Sequence, residues 1–204
     1  MNIIHALGLT VVLSLMCGCA SPDLRDARFH CVRLEQGKDI LPVVGSRHGE
    51  LMNQDANYLI FDVTTKFDMW RFLQDHSWVV MWEGRFCHKE HPFYWSGSPV
   101  FLGGHPLESF EVNLAPSPIP DEQGEFHLEM VVRVDLIFIG PSGREEYPRI
   151  INDNICLRIH CTNMVNESDS PMILVPKELV QEVLDRVTSE PTGHCVMEAP
   201  DDGK

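Results

Sequence analysis

The chain changes its hydrophobic period several times, and each change marks an element. Residues 57–63 (NYLIFDV) are short and almost continuously apolar, as expected of a buried strand. Residues 66–76 (KFDMWRFLQDH) instead place Phe67, Trp70 and Leu73 along one stripe, which predicts a helix, with Thr65 and Asp68 spaced as a capping box. Residues 77–83 return to a period of two, with Trp78, Val80 and Trp82 on one face. This is a strand–helix–strand unit, and if both strands share a sheet its crossover should be right-handed.

The second half reads as an antiparallel meander. Residues 109–114 alternate through Phe110, Val112 and Leu114. After a proline-rich connection, residues 126–139 alternate through Phe126, Leu128, Met130, Val132, Val134, Leu136 and Phe138. Gly140-Pro141-Ser142-Gly143 is a turn signal. Residues 155–161 form a further strand with Ile155, Leu157, Ile159 and Cys161 inward, so Cys156 falls on the other face and should not pair with Cys161. Pro176 opens a helix over 177–188, striped by Leu179, Val180, Val183, Leu184 and Val187. This order of elements predicts an α+β fold: a mostly antiparallel sheet of about five to six strands with two helices packed on it.

The N-terminus is of another kind. Residues 1–18 carry no Lys, Arg, Asp or Glu, and their apolar run over 6–16 has the length of a signal-peptide core rather than of a membrane span. Small residues follow at once. Leu15-Met16-Cys17-Gly18-Cys19 resembles the lipobox of bacterial lipoproteins. The resemblance implies cleavage after Gly18, a diacylglycerol on the Cys19 thiol, and an acylated new amine. Ala20, rather than Asp, follows the cysteine, which by the same analogy implies sorting to the outer membrane. A plain secretory signal cut near Ala20 or Ser21, and an uncleaved anchor, are the alternatives. The expected organisation is a signal peptide at 1–18, lipidated Cys19 with a short tether to 28, one α+β domain at 29–189, and an acidic, loose tail at 190–204 unless Cys195 ties it down.

The net charge of −14 lies wholly outside the apolar start. It opposes nucleic-acid partners and anionic membrane surfaces, both of which need clustered Lys and Arg. The lipid is then the expected membrane contact.

Cys31, Cys87, Cys156, Cys161 and Cys195 remain beyond the signal. In an oxidising compartment the simplest accounting is two disulfides and one leftover thiol, of unspecified connectivity. His30-Cys31, Cys87-His88, His160-Cys161 and His194-Cys195 suggest metal binding, but strand neighbours point to opposite faces, and no CxxC occurs. The richest metal candidate is Cys87-His88-Lys89-Glu90-His91, in which His88, His91 and Cys87 would be the ligands. Pro92 disfavours a helix there, and a polar loop is the plainer reading. The aromatic, glycine-rich segment 91–106 offers Phe93, Tyr94, Trp95 and Phe101 as a contact surface for a protein or glycan partner, unless these rings plug the sheet. No catalytic or cofactor motif is present, so no cofactor is expected. The sequence reads as a non-enzymatic envelope module, with a metal-binding protein or metal-dependent enzyme at Cys87-His88-His91 as the alternative.

Overall fold

The computed structural model describes residues 21–37, 56–88, 95–108, 111–134, 139–140, 143–144, 153–186 and 195–197. The strands are β1 (Arg28–Gln36), β2 (Asn57–Thr65), β3 (Val79–Phe86), β4 (Trp95–Leu102), β5 (His105–Pro106), β6 (Phe126–Arg133), β7 (Ile139–Gly140), β8 (Gly143–Arg144), β9 (Ile155–Thr162), β10 (Glu167–Asp169), β11 (Ile173–Val175) and β12 (Val196–Met197). The helices are α1 (Met69–Asp75) and α2 (Lys177–Asp185). The fold is α+β with an antiparallel sheet, as the periodicity predicts.

The main path runs β10-β9-β3-β4-β6-β2-β1-β12, with β11 also on β9 and β5 also on β4. It divides at β4. The first half of β4 pairs with β3, and Val100–Leu102 pair with β6, so one strand belongs to both a β1-β2-β6 sheet and a β3-β9 sheet. β1 returns to lie against β11 and α2. The main core fills the space between: Val32, Leu34, Leu59, Phe61 and Val63 from one sheet meet Val80, Trp82, Leu157 and Ile159 from the other, together with Met69, Trp70 and Leu73 of α1.

The apolar run of β2 now has its reason. Leu59, Phe61 and Val63 face this core, while Tyr58 and Ile60 face outward into a second cluster with Phe101 and Val131. The predicted inward faces of β3 and β9 are buried, as are Phe126, Leu128, Met130, Val132 and Val134 on and just beyond β6; Leu136 and Phe138 lie outside the described residues. β7 and β8 pair across the predicted Gly140–Gly143 turn.

Four local expectations are corrected. Within the strand expected at 109–114, Glu111–Asn113 form a 3-10 turn, and Ser109 and Phe110 lie outside the described residues. Val112 is buried, its N–H donates to the Glu108 carbonyl, and its own carbonyl accepts from Gln74 of α1, so the backbone is satisfied without a strand partner. The cap of α1 is Asp68, whose carboxylate accepts from Arg71 N at 2.9 Å. Thr65 instead ends β2 and donates to Asp26. The two strands flanking α1 lie in different halves of an all-antiparallel path, so the handedness rule for parallel crossovers does not apply. Segment 91–106 is not one loop: it contains β4 and β5, joined at Gly103 and Gly104, whose φ values of 58° and 79° suit glycine.

α2 begins where predicted. Asn154 Oδ1 accepts from Lys177 N, standing in for the side-chain cap that Pro176 lacks. Val187 and Thr188, expected to extend this helix, lie outside the described residues.

Two disulfides close the fold. Cys31–Cys195 joins β1 to the residue before β12, and Cys87–Cys156 joins the end of β3 to β9, with Cα separations of 5.5 and 5.2 Å. Cys195 is therefore tied to β1, while the rest of the 190–204 segment apart from Val196 and Met197 lies outside the described residues. Cys161 is the leftover thiol, buried in the core, and burial, aided by Asp169, pushes its pKa up to about 12. It is not a reactive cysteine.

Candidate functional site

Of the candidate metal segment 87–91, the structure describes Cys87 and His88, and each is engaged with another partner. Cys87 is corrected from ligand to disulfide partner, and a disulfide sulfur offers no thiolate. His88 is exposed and forms a bidentate contact with Asp153: its backbone N–H donates to Oδ2 at 2.7 Å, and Nδ1 lies 2.8 Å from Oδ1. Burial opposes the charge of Asp153, but the His88 and Asn154 hydrogen bonds outweigh it and lower the carboxyl pKa. This corner locks the β3–β9 junction. His91 lies outside the described residues.

Of the aromatic candidates, the structure describes only the side chain of Phe101. Phe101 is buried in β4 against Tyr58, Ile60 and Val131, so it serves packing. Phe93 and Tyr94 lie outside the described residues, as does the side chain of Trp95, and so does Cys19.

A polar cluster that the sequence did not single out sits on the outer face of β1, β2 and β6. Asp62 is the one acid within the buried run of β2, and it is itself buried. Across the ladder, His127 of β6 turns Nδ1 to Asp62 Oδ2 at 2.9 Å and Nε2 to Asp121 Oδ2 at 3.2 Å. Asp121 is held by its own turn: Oδ1 accepts from Gln123 N and Glu125 N, both at 2.8 Å, and Gly124 takes the left-handed φ of 76° that the turn requires. Next to this turn, Arg28 grips the buried carboxylate of Glu125. The Arg33 guanidinium on the same sheet face is occupied by Glu35 and Glu129.

His30 enters through a backbone irregularity. Phe29 pairs with Val63 and Cys31 with Asp62, so β1 carries one residue more than β2 at that step, a β-bulge. The bulge breaks the alternation that would send His30 and Cys31 to opposite faces. The His30 ring stands edge-on to His127 with centroids 5.0 Å apart, and Cys31 Sγ lies 4.0 Å from Asp62 Oδ2. Ligand-type atoms of His30, Asp62 and His127 lie within 4.8 Å of one another. Those of Cys31, Asp62 and Cys195 do so as well, although the disulfide occupies the two sulfurs.

Protonation of the cluster follows from these contacts. Burial works against a charge on His127, but the hydrogen bonds and charges of Asp62, then Asp121, outweigh it and raise its pKa. Asp121 is lowered, first by the Glu125 backbone N–H, against some burial, and then by His127. His127 therefore contributes stability in full below its unfolded pKa of about 6.5, and loses it as pH rises through the raised folded value. Asp121 contributes above its unfolded pKa of about 3.9 and loses that contribution on acidification. Denaturant titrations from pH 6 to 9 should show the His127 contribution being lost as pH rises, of order 1 kcal/mol or less given the screening at a partly exposed histidine. His127→Gln should flatten it.

Elsewhere, an open groove lined by Asp23, Arg25, Asp26, Lys66 and Phe67 carries mixed charge and no convergent polar set. No family model matches the chain, and no curated protein and no solved structure is significantly similar to it.

Proposed function

We propose that this protein is an exported lipoprotein of the bacterial cell envelope, anchored through Cys19, whose domain acts as a non-enzymatic binding or structural module close to the bilayer. The observation that carries the reading is how soon the fold begins after the lipobox. The Pro22 carbonyl accepts from Ser168 of β10, and Leu24 is already buried in the main core. The three residue steps from Cys19 to Pro22 reach at most about 10 Å, so a lipid on Cys19 holds the body against the membrane. The turn between β9 and β10 is three residues from Ser168, and its Met164 and Val165 are fully exposed. Asn163 Oδ1 fixes that turn by accepting from Val165 N and Asn166 N, which presents apolar surface close in the chain to the strand that Pro22 contacts.

Two disulfides suit an oxidising compartment outside the cytosol. No helix among the described residues is long and apolar enough to cross a membrane. Two or three acyl chains anchor stably where one does not. The outer membrane is the proposed destination, from Ala20. A protein or glycan is the proposed ligand class, with Phe93, Tyr94 and Trp95 as the residues to test.

The Cys19→Ala protein should lose all incorporation of labelled palmitate and move from the membrane pellet to the soluble fraction. Labelling equal to the parent removes Cys19 as the anchor. Loss of label without release would mean that the N-terminal segment itself stays in the membrane.

A further inference from the structure

We propose that His30, Asp62 and His127 form a site for a divalent transition-metal cation of the zinc class, with Asp121 orienting His127 from behind. The three side chains come from adjacent strands β1, β2 and β6: ladder pairing fixes Asp62 and His127, and the paired neighbours Phe29 and Cys31 fix His30 at the bulge. Two imidazoles and one carboxylate are a donor set that zinc accepts, at about 2.0–2.2 Å from each atom, leaving a fourth tetrahedral position for water or an exchangeable ligand. Tetrahedral ligands at those lengths stand about 3.4 Å apart, and the present limit of 4.8 Å closes to that by modest side-chain rotation.

Two further features point the same way. Metal-bound histidines commonly donate their other ring N–H to a carboxylate, which fixes tautomer and ring orientation. His127 has that arrangement: Nε2 on Asp121 leaves Nδ1 directed at the Asp62 side. Asp121 is in turn immobilised by two backbone N–H groups. The second feature is the bulge, since such irregularities re-aim a side chain at a site, and this one brings His30 to the pair.

The competing account is a plain ion pair, with an imidazolium shared between Asp62 and Asp121. That account assigns His30 no role, so His30 discriminates the two. It sits at the bulge and not in the core, and its replacement leaves the Asp62–His127–Asp121 contacts in place.

The test is calorimetric titration of zinc chloride into the full chain in detergent, freed of metal by chelator and left unreduced so that Cys31 and Cys195 stay paired. One equivalent should bind with a dissociation constant of about 10 μM or tighter, worth about 7 kcal/mol. His30→Gln should weaken binding at least about tenfold and Asp121→Asn about tenfold, the usual effect of losing an outer-shell partner. His88→Gln, at an exposed histidine outside the cluster, should bind as the parent does. Circular dichroism confirms that each variant is folded. No saturable binding by the parent, or unchanged affinity in folded His30→Gln, overturns the proposal. Loss of binding in His88→Gln with binding kept in His30→Gln would move the metal elsewhere and overturn it equally.

Discussion

Replacing Cys31 and Cys195 together by serine is expected to lower the unfolding free energy by about 4–5 kcal/mol, the upper end of what a native disulfide contributes. The reason lies mainly in the unfolded chain. The bridge spans 164 residues, and closing so long a loop removes much of the unfolded state's freedom. Cys87–Cys156 spans 69, for which the same dependence gives about 4 kcal/mol. The native side adds a local consequence. Among the described residues β12 is two residues long and pairs with β1 through Cys31↔Met197 and Val32↔Val196. Without the bond, little holds it, and its release uncovers the edge of β1. Hydrogen exchange at Val196 should therefore rise well beyond what the global loss requires. Urea unfolding followed by tryptophan fluorescence measures the first effect. A loss under about 1 kcal/mol would mean that the unfolded chain is already held compact without the bond. Alkylation of the unreduced protein supplies the control: among the described cysteines none reacts in the native state, and Cys161 alone reacts after denaturation.

How much of this was readable beforehand depends on whether a feature is local. β2, β3, β9 and the start of α2 were legible because burial imposes a period, and the period is written in a short window. The inward placement of Cys161, opposite Cys156, follows from the same alternation. Disulfide connectivity was not legible, because Cys31 meets Cys195 only through β1–β12 pairing, and Cys87 meets Cys156 only through β3–β9. β4 was hidden by Gly97 and Pro99, which read as loop residues while the backbone still pairs on both sides. The 3-10 turn at Glu111–Asn113 imitated a strand because three alternating positions are too few to define a period.

The candidate site was missed for a sharper reason. Alternation argues that His30 and Cys31 cannot share a face, and that argument is sound for a regular strand. One extra residue in β1 reverses it, and nothing in the sequence announces a bulge there. One signal was available: Asp62 interrupts an otherwise apolar buried strand. A carboxylate there needs a partner, because an unpaired buried charge costs several kcal/mol. Following that need leads to the other polar positions on neighbouring strands, and His127 is among them.

Trp82→Ala is expected to cost about 3–5 kcal/mol. Trp82 is almost wholly buried on β3 opposite Ile159, in the cluster to which both halves of the sheet contribute. Its truncation leaves a void that neither half can collapse to fill without breaking ladder pairing. The loss belongs to packing, since the indole Nε1 has no hydrogen-bond partner among the described residues and its removal orphans none of them. Trp82→Phe should accordingly be much milder, about 1–2 kcal/mol, because the smaller ring also deletes that unpaired N–H. Since β4 pairs with both halves and one core lies between them, Trp82→Ala should weaken β1, β2 and β6 as much as β3 and β9. Unfolding should stay a single transition, reported alike by circular dichroism and tryptophan fluorescence, and displaced to lower urea with an unchanged slope. Two separated transitions would mean that the halves of the sheet hold together independently, in spite of the strand they share.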